Sequence, residues 1–410
     1  MTDVSWIEQT LGGARPQAVA ALLRYFHDLD VAEEAFQEAS LRALRNWARN
    51  GTPRDPVGWL VMVGRNAGID ATRRVKRERP LEDPSVLSTE EDSESVMADT
   101  LDAADYRDDV LRLLFICCHP ELPATQQIAL ALRIVLGLSV PRIARAFLVS
   151  ESAMEQRITR AKARIGGAGV PFQPPTAVER AERLAAVASM VYLLFNEGYS
   201  SPNGDDERAS LCDDAIRLAR LLLRLFHTDP ELMGLTALLL LQHSRVDARR
   251  AADGSVILLE EQDRSRWNPR MINEGLALID KAFRHGTLGP YQLQAAIAAV
   301  HARAKTPAET DWRRMEALYA LLEREMPSPV VTLNRAVAVG KVQGAEAALT
   351  LVETLAERLD GYFHFHGVRG HFLKQLGRAR EAREAFTRAI ALAGSPAEAA
   401  HIRGLLDSLA

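Results

Sequence analysis

The chain has 410 residues, 47% hydrophobic and 25% charged, a composition expected of folded protein with roughly two or three cores. A formal net charge of -4 excludes a generally polycationic coat for nucleic acid, so any such binding must come from local patches. Cys117, Cys118 and Cys212 make no disulfide framework, the opening MTDVSWIEQTLGG lacks the marks of a secretory signal, and apolar runs such as 235–241 are far too short for a membrane span. The expected location is therefore cytoplasmic, with no membrane partner.

Almost every segment repeats at helical spacing, so the expected fold class is all-α. Val19, Leu22, Leu23 and Phe26 share one face, and Val31, Ala35, Ala39, Ala43 and Trp47 share another. Glu33, Glu34, Gln37 and Glu38 lie opposite that second stripe, which by itself also fits a solvated acidic face. A Gly/Pro loop at 49–56 comes next. The helix after it has a buried stripe of Leu60, Val63, Ala67 and Ala71 and ends in Arg73, Arg74, Lys76, Arg77 and Arg79. Such cations attract phosphates without regard to sequence, whereas Asn66 at mid-helix is equipped to discriminate a base edge. Trp59 is read as core in preference to stacking.

Residues 80–109 carry eleven carboxylates against the single cation Arg107, with Pro, Ser and Thr interspersed, and are read as an acidic linker. Cys117-Cys118-His119 invites a zinc assignment. Adjacent cysteines do not easily face one ion and no second ligand pair accompanies them, so core packing is the reading and no metal site is assigned.

A helix-turn-helix is expected next: a helix opening at Leu122-Pro123, a break at Gly137, a short helix over 139–147, a turn at Val149-Ser150, and a recognition helix over 151–165 capped by Ser150. Ile143, Ala144, Phe147, Met154 and Ile158 are its expected core. Ser152, Glu155, Gln156, Arg157 and Arg160 are left to meet DNA, with Lys162 and Arg164 nearer the phosphates. A generic three-helix bundle is the alternative.

A Gly/Pro break at 166–176 opens a further helical region. Within 195–206, FNEGYSSPNGDD, the residues Asn196, Glu197 and Tyr199 are candidate effector or interdomain residues; the same stretch also reads as a helix stop with Gly198 as C-cap and a turn at Asn203-Gly204. DGSVILLE at 253–260 reads as a hairpin or a loop. From 287 onward Gly370, Gly377, Ala382, Phe386 and Ala389 fall where a tetratricopeptide repeat puts its packing residues. Ala336 and Ala348 fall about one 34-residue period earlier, and Tyr319 with Pro329 suggests a degenerate third copy. His364 and His366 are given structural roles. No nucleotide loop, GxSxG or acid/base pair is present, so no catalytic residue and no cofactor is assigned.

Together the acidic helix, the cation-tipped helix and the helix-turn-helix make residues 15–165 resemble a bacterial sigma factor of the extracytoplasmic-function, sigma-24-like class, over about two-fifths of the chain. The later repeats fit a subgroup bearing a tetratricopeptide-like extension. The resemblance implies partners, namely core RNA polymerase and both double-stranded and melted promoter DNA, with a peptide, protein or small-molecule effector at the extension. It implies core-polymerase contacts at Asp30, Glu33, Glu34, Gln37 and Glu38, and capture of melted −10 bases by Arg54, Asn66, Asp70, Arg73, Arg74, Lys76 and Arg77. Ser152, Glu155, Gln156, Arg157, Arg160, Lys162 and Arg164 become the −35 readers. The linker then either threads a basic polymerase channel or is a solvated tether. The domains implied are region 2 at 1–80, the linker at 81–109, region 4 at 110–168, a helical domain at 176–286 and the repeats at 287–410. A helix-turn-helix regulator acting without polymerase, and a scaffold using its repeat surface, are the competing expectations.

Overall fold

The computed structural model describes residues 5–78, 103–147, 149–167, 177–199, 206–251, 257–393 and 396–409. Two compact units divide the chain after Ala215. Among the described residues every extended element is a helix, as the periodicity predicts, and the nearest approach to a strand is an isolated bridge position at Arg250.

In the first unit, α1 (Ser5–Phe26), α2 (Leu29–Asn50) and α3 (Pro56–Glu78) pack together. Asp28 starts α2 by accepting from the backbone N–H of Asp30 (2.8 Å) and Val31 (3.1 Å), which satisfies free donors of the first turn. Asp55 does the same for Gly58 (3.0 Å) at the head of α3. Ala32, Ala35, Phe36, Ala39, Ala43 and Trp47 bury one stripe of α2. Leu60 is fully buried, a burial that contributes about 1.5–3 kcal/mol. Val63 is half-buried, and the Ala71 side chain lies outside the described residues. Close approach of α3 to α1 uses Gly68, where a Cβ would stand 2.4 Å from the Phe26 ring.

The helix α4 (Ala103–Cys117) begins inside the stretch read as linker, a correction to that boundary. From 110 on, its residues Val110, Leu111, Leu113 and Leu114 are apolar and bury, and α4 packs on α1. Residues 81–102, the rest of the expected linker, lie outside the described residues. Cys117 and Cys118 are buried, and burial pushes the Cys118 thiol up to about 12 and the Cys117 thiol well above its ordinary value.

Then come α5 (Ala124–Ile134), α6 (Val140–Ala146) and α7 (Glu151–Gly167). Ser139 and Ser150 cap α6 and α7, their hydroxyls accepting from Arg142 N (3.4 Å) and Ala153 N (3.2 Å). Ile143, Ala144, Met154 and Ile158 are buried as expected, whereas Phe147 is only half-buried. Two further helices, α8 (Ala177–Tyr199) and α9 (Asp206–Leu225), come after these, and α8 packs on α4 and α5. Gly198 lies inside α8, so it is not the expected C-cap; Asn203-Gly204 lies outside the described residues.

The second unit, from Ile216, continues as α10 (Pro230–His243), α11 (Pro269–Phe283), α12 (Pro290–Arg303), α13 (Trp312–Glu325), α14 (Pro329–Gln343), α15 (Ala345–Glu353), α16 (Ala356–Leu359), α17 (Phe363–Gln375), α18 (Ala379–Leu392) and α19 (Pro396–Asp407). Most successive helices pack on one another, α15 reaching past the short α16 to α17, with α17 on α18 and α18 on α19. The small and aromatic residues of the sequence repeat meet as that pattern requires: Gly370 lets Phe386 approach so closely that a Cβ would be 2.6 Å from its ring. Ala336, Ala348, Phe372, Ala382, Ala389 and Ile402 share one core. His366 is buried, with its Nε2 2.7 Å from the Asp360 carbonyl. The 253–260 segment lies partly outside the described residues, and 257–260 is loop.

Candidate nucleic-acid interface

The helix α7, expected as the recognition helix, divides cleanly into two faces. Met154, Ile158, Ala161 and Ile165 are buried at helical spacing, while Ser152, Glu155, Gln156 and Arg160 are exposed on the other side. Thr159 shares that exposed face at the same spacing, a member that the sequence pattern alone did not single out. Arg157 is half-buried; Arg164 is exposed and donates from Nη1 to the Glu121 carbonyl at 3.2 Å. Polar side chains presented on one ridge, above a packed apolar stripe, are what a major groove can read.

Lys162 sits elsewhere. Flanking the buried stripe, it reaches α2, where its Nζ donates to Asp30 Oδ1 (2.5 Å) and Glu33 Oε2 (3.0 Å). Glu33, expected as an exposed polymerase contact, is 4% exposed. Its Oε1 also accepts from Arg15 Nη2 (3.2 Å) and pairs with Arg133 Nε (3.3 Å), so one carboxylate joins α1, α2, α5 and α7. Arg15 further donates from Nε to the Ile134 carbonyl (3.0 Å) and from Nη2 to that of Arg133 (3.3 Å), closing the C-terminal end of α5. Burial lowers the Arg15 pKa, with Glu33 opposing it. For Lys162 burial also acts downward, but the bonds to Asp30 and Glu33 leave its pKa raised. In this arrangement Glu33 and Lys162 are partners of each other, because each flanks an apolar stripe whose neighbour supplies the opposite charge.

The remaining acidic positions are more open. Asp30, Glu34 and Gln37 are exposed, and Glu38 pairs with Arg42 at 2.9 Å along the same helix. On α3, Asn66 and Asp70 are exposed one turn apart and share a ridge with Met62, which is 56% exposed; Arg54 is exposed in the loop before α3. Arg65 lies over the Tyr25 ring at 5.3 Å and adds a cation to this side. Trp59 is half-buried, its ring 5.3 Å from that of the buried Trp47. The side chains of Arg73, Arg74, Lys76 and Arg77 lie outside the described residues.

A second ion pair joins the helix-turn-helix to α9. Arg142 on α6 donates from Nη2 to Ser210 Oγ (3.1 Å) and Asp214 Oδ2 (3.4 Å) on that helix, and Asp214 is wholly buried. Arg183 on α8 lies over the Phe115 ring at 5.7 Å. Of the candidate effector residues, Asn196 is half-buried, Glu197 exposed, and Tyr199 stacks on Phe195 with centroids 5.3 Å apart. The Cys212 thiol reaches the Phe195 carbonyl at 3.6 Å, so this corner is packed between α8 and α9.

Comparison with known proteins assigns these parts. Residues 14–78 match the model of sigma-70 region 2, and residues 112–165 that of sigma-70 region 4. Residues 183–283 match DUF6596, a family of unknown function. An uncharacterized protein of Rhizobium meliloti (strain 1021), R00370, is 67% identical over 411 residues, covering 100% of this chain and 97% of that one. The yeast Tom70 crystal structure aligns over 99% of this chain and 86% of its own at 12% identity and a TM-score of 0.35, a likeness too slight to carry an argument. No helix among the described residues is long and apolar enough to cross a membrane. The chain belongs to the family of the Rhizobium meliloti protein and carries sigma-70 regions 2 and 4, the domains of an RNA polymerase sigma factor.

Proposed function

We propose that the chain is a cytoplasmic sigma factor of the extracytoplasmic-function type, regulated in cis by the helices that come after region 4. The short separation of the two matched regions, residues 79–111, supports the first half, since it leaves little room for a further folded domain between them. Region 2 docks on core polymerase through the open part of the acidic face, Glu34, Gln37 and Glu38, and captures melted −10 bases along the Asn66–Asp70 ridge with Arg54 and the cationic end of α3. Region 4 reads the −35 duplex with Ser152, Glu155, Gln156 and Arg160. Polymerase supplies the chemistry, and the chain contributes binding alone.

The observation that carries the regulatory half is the Arg142–Asp214 pair. It ties the helix supporting the recognition helix to the first helices of the extension through a carboxylate that has no exposure of its own. A partner that grips the extension acts on region 4 through this contact. Asn196, Glu197 and Tyr199 stand at the same α8–α9 corner and are the proposed place of an effector or interdomain contact.

The test is single-round transcription with purified core polymerase, comparing the full chain with Asp214→Asn, which keeps the side-chain volume and removes the charge. A truncation at 176 would strip α8 from α4 and α5 and so confuse regulation with folding. Promoter-specific transcripts from the full chain are expected, with altered output or altered promoter choice in the variant. An unchanged variant would end the cis-regulatory reading. Tight duplex binding without any association with core polymerase would favour a conventional DNA-binding regulator instead.

A further inference from the structure

We infer that Asp30 and Glu33 form a socket for basic side chains that region 4 fills in the free protein, so that a basic polymerase surface must expel Lys162 before region 2 docks fully. The inference rests on the sigma-factor reading of the two regions and goes beyond it by naming the contact that gates their use.

The charges set the logic. Two carboxylates, Asp30 and Glu33, face three cations, Arg15, Arg133 and Lys162, and the centre of the cluster is out of water. A fourth cation cannot be accommodated beside Glu33 without like-charge repulsion in a low-dielectric setting, so an incoming basic group must replace one already there. The three are not equally held. Arg15 is anchored on the carbonyls of Arg133 and Ile134, and Arg133 on that of Leu138 at 3.2 Å, whereas the bonds of Lys162 run to the two carboxylates. An ammonium is also a compact charge that rehydrates readily, unlike a guanidinium fixed on backbone oxygens. Lys162 is therefore the exchange point.

The consequences for the two regions differ. Region 2 has its most central acid covered, and Lys162 is withheld from phosphate. The ridge of Ser152, Glu155, Gln156 and Arg160 stays exposed on the opposite side of α7. The closed form thus keeps its base-reading face open while Asp30 and Glu33 are occupied, and full docking is the gated step. Expelling Lys162 opens the α2–α7 contact and returns that cation to the DNA side at the same moment, so polymerase and promoter reinforce each other.

The experiment uses the full chain with spin labels at Arg45→Cys and Ala163→Cys, both exposed positions; the three native cysteines are buried. The unaltered latch is expected to give one narrow label–label distance at low salt. Lys162→Met is expected to broaden and lengthen that distribution and to bind core polymerase about 3–10-fold more tightly, with Lys162→Arg staying close to the parent. Because Glu33 retains Arg15 and Arg133, Lys162→Met leaves the cluster charge-balanced, and circular dichroism checks that it stays folded. An unchanged distance distribution together with unchanged or weaker polymerase binding would overturn the inference. If neither protein bound core polymerase, the sigma-factor reading itself would fall, while the label distances would still decide whether Lys162 closes the contact.

Discussion

Arg142 on α6 donates to Asp214 on α9 at 3.4 Å, and the carboxylate it meets has no solvent exposure whereas the arginine side chain is 36% exposed. The pair is thus asymmetric: Arg142 can turn to water if its partner is lost, and Asp214 cannot. Arg142→Ala is expected to destabilise the chain by about 1–2 kcal/mol, Asp214 keeping its other interactions, and Asp214→Asn by less, when both are monitored by urea unfolding. Equal costs for the two would show that the buried carboxylate draws little from this arginine.

Gly137 between α5 and α6 has φ +72°, and a Cβ there would stand 2.7 Å from Arg15 Cδ. Substitution by Ala meets both the left-handed backbone and the arginine that closes α5. A loss of about 1–3 kcal/mol is expected for Gly137→Ala in chemical denaturation. The same change should loosen the Glu33 cluster, seen as faster amide exchange at the end of α5.

His301 on α12 has its pKa lowered to about 4, first by burial and then by Arg245 and Arg264, with Glu260 opposing. Its folded value lies below the unfolded one near 6.5, so the unfolded chain binds the extra proton between those pH values. The contribution is therefore complete above about pH 6.5 and is lost as the pH falls toward 4, amounting to no more than about 3 kcal/mol. In thermal melts over about pH 4–7 the parent should lose stability more steeply than His301→Gln as the pH falls; parallel curves would assign the effect to other groups.

On the exposed face of α7, Gln156 and Arg160 should behave differently in titrations with −35 duplexes. Arg160→Ala, if it removes a phosphate contact, weakens binding alike for all sequences and reduces the salt slope by about 1. Gln156→Ala is expected to relax preference at one base pair by about 1–3 kcal/mol. Loss of sequence preference in Arg160→Ala with an unchanged salt slope would instead make Arg160 a base reader.

Where α10 crosses α12, a Cβ on Gly234 would stand 2.5 Å from the backbone nitrogen of Gln292, and backbone does not swing aside as a side chain would. Gly234→Ala should cost about 1–3 kcal/mol and lower the melting temperature of the second unit. A neutral result would mean that the two helices slide apart at little cost.

Much of the architecture was legible because local rules act over one or two helical turns. The breaks at Gly137 and Ser150, the caps, and the buried stripe of Met154 and Ile158 all derive from neighbours within a few residues. Asp214 carried a signal in its spacing: it sits among Leu211, Ala215 and Leu218, on the apolar face of its helix, and a carboxylate at such a position demands a buried partner. The start of α4 was obscured because its first turns are as acidic as the linker before them.

By itself the sequence determined that the chain is helical, which stripe of most helices is apolar, and that a helix-turn-helix lies within 122–165. Only the tertiary structure decided that Glu33 is buried and that Lys162 faces α2 instead of the open side of α7. Periodicity assigns a residue to the edge of an apolar stripe. Whether an edge charge meets water or a countercharge depends on which distant helix comes to lie there, and in this protein that helix is more than a hundred residues away.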